Sequence, residues 1–286
     1  MSLRSTYYAT FVRFLNSEKN ERAITLFCKC LYVFLLIKIV FLVPVLSDIM
    51  QDMPLKSESW IQSILFAPAK LAQFNSWLFL GLFICLIALG CFIKTNHYIT
   101  ILIFWFSFSL SRLIQPIMNG SDLVLNLFLF LSIFFNVVSI SQKEIRLAIS
   151  NFAVLFCRIQ LALIYFLSGY DKLLSAAWRS GDAIQSVQHL EFFVSERFTS
   201  TLSQQTYLYL AWVVILFELL FSILIWVRKF RFPLLIVGVV FHAGIIVFLN
   251  LPDFGVIMIL SYLIFYPFKE RKRLSMESKN FQSALS

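Results

Sequence analysis

The chain has 286 residues, 60% of them hydrophobic and only 14% charged, with 33 Phe and a mean hydropathy of +0.83. A soluble domain carries about 25% charged residues, so this composition excludes an ordinary soluble globule and reads as a helical membrane protein. The net charge of +9 would suggest a nucleic-acid partner in a soluble chain; here the basic residues must first be sorted by membrane side, and no nucleic acid is expected.

The expected fold is all-α, a polytopic transmembrane helix bundle of about eight spans with an external amphipathic helix. Residues 1–22 carry Arg4, Arg13, Glu18, Lys19, Glu21 and Arg22 before the first apolar run. They lack the short apolar core and small-residue cleavage site of a signal peptide, which predicts a retained cytoplasmic or interfacial tail. The transmembrane domain is expected over 23–268. Its spans fall near 24–46, 72–93, 98–111, 123–140, 152–174, 207–227, 232–250 and 254–268. Most approach the roughly 20 residues needed to cross the hydrocarbon. Residues 269–286 form a basic cytoplasmic tail. The five cysteines have neither CxxC nor zinc-site spacing; they read as small apolar packing residues, with no disulfide and no metal site expected.

Counted on this segmentation, 15 Lys and Arg lie in the tails and even loops, five lie in the odd loops, and four (Lys29, Lys38, Arg158, Lys172) lie within spans. A bias of this size follows the positive-inside rule. It predicts a multi-pass protein of the cell membrane with both termini cytoplasmic and basic tails that meet anionic lipid.

Polar residues then collect at the outer end. The third loop carries Arg112 and Asn119-Gly120-Ser121-Asp122. The fifth loop, about 175–206, carries Trp178, Arg179, Gly181 and Asp182, with His189, Glu191, Glu196 and Arg197 beyond them. Apolar residues at Ile184, Val187, Leu190 and Val194 give 183–198 the spacing of an interfacial amphipathic helix. Within the spans lie Arg158, Gln160, Tyr165, Lys172, Glu218 and His242. Arg158, Tyr165 and Lys172 share one helical stripe. A cation near the bilayer centre costs about 2.5–3.5 kcal/mol on insertion scales, so this stripe faces protein or water. An Arg158–Glu218 pair is expected. Each residue also has a plainer reading: Lys172 snorkelling to headgroups beside Asp171, His242 as a packing histidine flanked by Gly238 and Gly244, Trp178 in an aromatic belt, the many Phe facing lipid.

Arg158-x-Gln160, Tyr165-Phe166-Leu167-Ser168-Gly169-Tyr170-Asp171-Lys172-Leu173 and Trp178-Arg179-Ser180-Gly181-Asp182-Ala183, in that order, resemble the central signature of the HTTM family. This is the horizontally transferred transmembrane domain, related to the membrane part of vitamin K-dependent gamma-carboxylase. Asn119-Gly120-Ser121-Asp122 resembles its Asn-Gly-Gly-Asp turn. Glu218 and the stretch from Phe241-His242 to Phe254 and Met258 resemble its later blocks.

The resemblance implies Lys172 as a candidate catalytic base, matching the second lysine of the carboxylase Gly-x-Lys-Lys-Leu stretch, with Asp171 in place of the first. It implies a quinone-type cofactor if that chemistry is kept. The carboxylase carries a bulky extracytoplasmic region where this chain has a short basic tail, so glutamate carboxylation is not expected. The size and layout are more similar to stand-alone bacterial members of the sporulation-delaying protein B group, in the bacterial inner membrane. For those the family role is maturation of a secreted peptide toxin with a small accessory protein. Arg112, Asn119, Asp122, Trp178, Gly181 and Asp182 would then face the substrate, and Arg158, Gln160, Tyr165, Glu218 and His242 would support them. A transporter is the remaining reading, with Arg158, Lys172, Glu218 and His242 along its path.

Overall fold

The computed structural model describes residues 21–51, 59–93, 96–135, 137–187 and 202–265. Residues 1–20 of the expected N-terminal tail, the expected C-terminal tail, and the amphipathic helix beyond Val187 lie outside the described residues. Among those described there is no strand.

Helix α1 (Glu21–Gln51) carries Pro44 within it. It buries Phe27, Cys28, Leu31, Tyr32, Leu35 and Ile39 against the rest and leaves Val33, Ile37, Val40 and Phe41 on the outside. Both faces are apolar, as expected of a helix packed on protein along one stripe and on lipid along the other. Helices α2 (Trp60–Leu65) and α3 (Ala67–Phe74) precede α4 (Ser76–Phe92). The span expected from residue 72 is broken at Asn75. Its backbone is extended and its side chain accepts from Leu78 N at 2.9 Å, capping α4. The same device starts α5 (His97–Leu113), where Asn96 accepts from Ile99 N at 3.1 Å.

Helix α6 (Gly120–Ser132) opens with a reciprocal cap. The Asn119 side chain accepts from Ser121 N, and Asp122 accepts from Asn119 N. It ends in a 3₁₀ turn, Ile133–Phe135, short of the expected residue 140. Helix α7 (Lys143–Leu174) has 32 residues, about 48 Å at 1.5 Å per residue, and starts nine residues before the expected span. Two short helices, α8 (Ala176–Ser180) and α9 (Asp182–Val187), turn the chain towards α10 (Gln204–Leu224). Helices α11 (Arg228–Phe248) and α12 (Pro252–Ser261) follow, the last running into a 3₁₀ turn, Tyr262–Ile264.

By length and composition, four segments can each cross a bilayer: Ala23–Leu46, Lys143–Leu174, Gln204–Leu224 and Arg228–Phe248. Ser76–Phe92, Gly120–Phe135 and Pro252–Ile264 are shorter apolar helices. The phenylalanines are not only lipid-facing. Phe27, Phe79, Phe83, Phe106, Phe128, Phe221 and Phe265 are buried. They meet in pairs such as Phe27–Phe128, edge to face at 5.6 Å, and Phe79–Phe106, stacked at 5.4 Å. In an apolar solvent, burying a ring gains little by the hydrophobic effect, so close packing of these flat surfaces must hold the helices together.

Candidate functional site

Helices α7 and α10 cross closely at Gly169. A Cβ built there would meet Glu218 Cβ and Leu219 Cγ at 3.0 Å, so only a bare backbone lets the helices approach this far. One turn further along α7, Lys172 reaches Glu218. Its Nζ donates to Oε2 at 2.8 Å and to Oε1 at 2.9 Å. Ser168 Oγ accepts from Lys172 Nζ and donates to Glu218 Oε1 at 3.1 Å. The Trp178 ring covers the ammonium, with Nζ 5.1 Å from its centroid. The lysine side chain is 18% exposed and the glutamate 8%. Lys172 is therefore not snorkelling beside an exposed Asp171; its counter-ion stands on the facing helix.

The cover over this pair is built locally. Gly181 ends α8 with φ 86°, a left-handed value glycine adopts freely. It lies so close to the backbone of Tyr207 and Leu208 that a Cβ would come within 2.8 Å of both. Asp182 accepts from Gln204 Nε2 at 2.9 Å and from Ser180 Oγ at 2.6 Å. Arg179 donates to the carbonyls of Leu173 and Leu174 at the end of α7, where helix carbonyls lack intrahelical partners. The segment that carries Trp178 is thus fastened to α7 and α10 at both ends.

One turn below Glu218, Tyr165 shares hydrogen bonds with His242 Nε2 at 2.6 Å and with the Tyr262 hydroxyl. All three are buried. Phe217 and Phe221 stand edge-on and tilted against the Tyr165 ring at 5.8 and 4.1 Å. His242 Nδ1 is buried with no hydrogen-bond partner.

A second polar centre joins α1, α6 and α12. Lys38 Nζ lies 2.8 Å from Asp122 Oδ1 and 3.1 Å from Asp253 Oδ2, and donates to Ser121 Oγ at 2.9 Å. Asp253 Oδ2 also accepts from Asn119 Nδ2 at 2.7 Å and from Ser121 Oγ at 2.8 Å. Phe254 stands between the two centres, its ring 5.9 Å from that of His242 and its edge beside Gly120.

Several expectations need correction. Glu218 pairs with Lys172 rather than Arg158. Arg158 instead donates from Nε to Ile264 O at 2.9 Å, with its guanidinium 5.6 Å from the Phe265 ring centroid. It caps the 3₁₀ turn that follows α12, where carbonyls are orphaned; Gln160, on α7 with Arg158, is half-buried. Arg112, Asn119 and Asp122 do not share one pocket with Lys172. Asn119 and Asp122 face Lys38 and Asp253 as above, while Arg112 is exposed and donates to Gln115 Oε1. Lys38, Ser121, Ser168, Asp253 and Tyr262 complete these networks; Ser121 and Asp253 fall at the outer polar end in the sequence, but their partners do not follow from it. A charged residue inside an apolar run was the available signal for Lys38.

An apolar helical bundle, with four segments long enough to cross a bilayer and ion pairs held between its helices, is an integral membrane protein. Residues 59–269 match the family model of the HTTM domain, and the chain belongs to that family. The match takes in both polar centres except Lys38, which α1 supplies from outside it. No curated protein and no solved structure matches the chain.

Proposed function

We propose that the chain crosses the membrane eight times with both termini in the cytoplasm, and that it acts at the extracytoplasmic face in the maturation or export of a secreted peptide. The observation that carries this reading is the Lys172–Glu218 pair, held inside the bundle under Trp178. An ion pair that needs desolvating adds little stability that an apolar pair would not, so a charged pair kept inside an apolar bundle favours a role in binding. The pair offers a peptide one group of each sign, beneath a cover tied down by Gly181, Asp182 and Gln204. The charge count supports the orientation: the loops that join α5 to α6, α7 to α10 and α11 to α12 then lie outside. A small accessory protein and a peptide precursor are the partners this reading requires.

The second reading is a carboxylase-like membrane enzyme in which Lys172 is the base and a quinone-type molecule the cofactor. The hydrogen-bonded Tyr165, His242 and Tyr262 below Glu218 favour it, since phenols and imidazole pass protons readily. Against it, both carboxylate oxygens of Glu218 grip the nitrogen a base would need free. A transporter ranks third, because Arg158 closes a helix end at Ile264 instead of joining the Lys172 network.

Mass spectrometry of secreted peptides from a deletion strain tests the first reading: a precursor should accumulate unprocessed or inside the cell. Complementation with Lys172→Arg separates the first two. Arginine keeps the charge but cannot serve as a base, so restored processing supports binding and abolished processing supports base chemistry. A reporter fused after Ser286 should be active only in the cytoplasm; an extracytoplasmic signal would invert the whole arrangement.

A further inference from the structure

Arg112 belongs to neither polar centre, and its surroundings suggest a use of its own. A groove of about 460 Å³ lies among the α2–α3 junction, α5 and α6, within the size range of small-molecule sites. Its walls are the rings of Phe66, Phe104, Phe108 and Phe130. The rings of Phe66 and Phe108 are stacked, with centroids 6.1 Å apart. The groove is open on the outside of the bundle, where Leu123 in its wall is 61% exposed. Polar atoms gather where α5 ends. Arg112 sits in the last turn of α5, and its guanidinium donates to Gln115 Oε1. Among the described residues it meets no carboxylate. The adjacent polar pair is already satisfied: Asn126 Nδ2 donates to Ser111 Oγ at 2.6 Å and Asn126 Oδ1 accepts from Ser107 Oγ at 2.8 Å. The groove therefore presents an aromatic slot edged by Arg112, a cation without a carboxylate partner among the described residues.

We propose that this groove binds an anionic phospholipid, with one acyl chain between the phenyl rings and the phosphate on Arg112. Arginine matches phosphate geometry with two parallel donors, and a helix end that carries a lone cation is placed at headgroup depth. The wall is mostly aromatic and aliphatic, and the groove opens on the outer side of the bundle, the side that faces lipid in a membrane protein. This inference requires the membrane location but not the peptide reading, so each can fail alone.

Native mass spectrometry of the detergent-purified chain, with phosphatidylglycerol or phosphatidylcholine added, tests it. The chain should retain phosphatidylglycerol in preference to phosphatidylcholine. Arg112→Gln should lower that retention on the order of tenfold or more, the scale of a lost charged hydrogen bond. Leu123→Trp, which narrows the mouth with Arg112 intact, should lower it too. Both positions are exposed, so thermal unfolding should match the parent chain. Equal retention of the two lipids, or unchanged retention in either variant, overturns the proposal. Competition by inorganic phosphate as effective as by phosphatidylglycerol would show a headgroup site without a chain, and overturns it as well.

Discussion

Replacing Lys172 with Met leaves Glu218 buried with Ser168, at 3.1 Å, as its remaining hydrogen-bond donor among the described residues. Removing one member of a buried pair costs about 3–5 kcal/mol, because the other charge is left uncompensated. Neutral hydrogen bonds between membrane helices average only about 0.6 kcal/mol, so a loss on the larger scale identifies the charge as the cause. The double variant Lys172→Met with Glu218→Gln has no orphaned charge and fills nearly the same volume. It should recover most of the stability lost by the single change. Thermal unfolding in a mild detergent, read on the parent, both single variants and the double, gives the coupling. Peptide processing by the same four proteins gives the function. A double variant that is stable yet inactive assigns the pair to work rather than to folding. The reasoning fails if Lys172→Met unfolds with the parent, or if the double variant is no more stable than the single.

Lys38→Met should destabilise by about 3 kcal/mol on the same argument, since Asp122 and Asp253 then face each other without a cation. Lys38→Arg should keep most of the stability, and limited proteolysis should show α1 released in the first variant but not the second. Gly181→Ala forces a side chain into a left-handed backbone and against Leu208. A cost of about 1–2 kcal/mol from backbone conformation alone should appear as a lowered unfolding midpoint, together with faster cleavage near residue 181. Gly169→Ala places a methyl 3.0 Å from Glu218 Cβ and Leu219 Cγ. Parting α7 and α10 should cost about 1–3 kcal/mol and reduce processing more than stability, because the Lys172–Glu218 distances stretch; unchanged processing would count against the crossing at Gly169.

Composition and periodicity made the helical membrane class legible, because a chain this apolar has to satisfy its backbone within helices or closed barrels. Every expected segment overlaps a helix, but the ends differ: the helix expected to residue 140 stops at Phe135, and that expected from 152 begins at Lys143. The one drawn too early, at residue 72, was misplaced by Asn75, whose capping role depends on local geometry that hydropathy ignores. The cost of charge in lipid also marked Lys172, Glu218, His242 and Arg158 as residues that must have partners. Which partners they have was decided by tertiary structure. Helical periodicity fixes the face a side chain leaves from, but pairing depends on how far two helices slide and how closely they cross. Gly169 sets the crossing that gives Glu218 to Lys172, and the turn after α12 claims Arg158. Lys38 lies 84 residues from Asp122 and 215 from Asp253. Only the packing of α1 on α6 and α12 brings the three together.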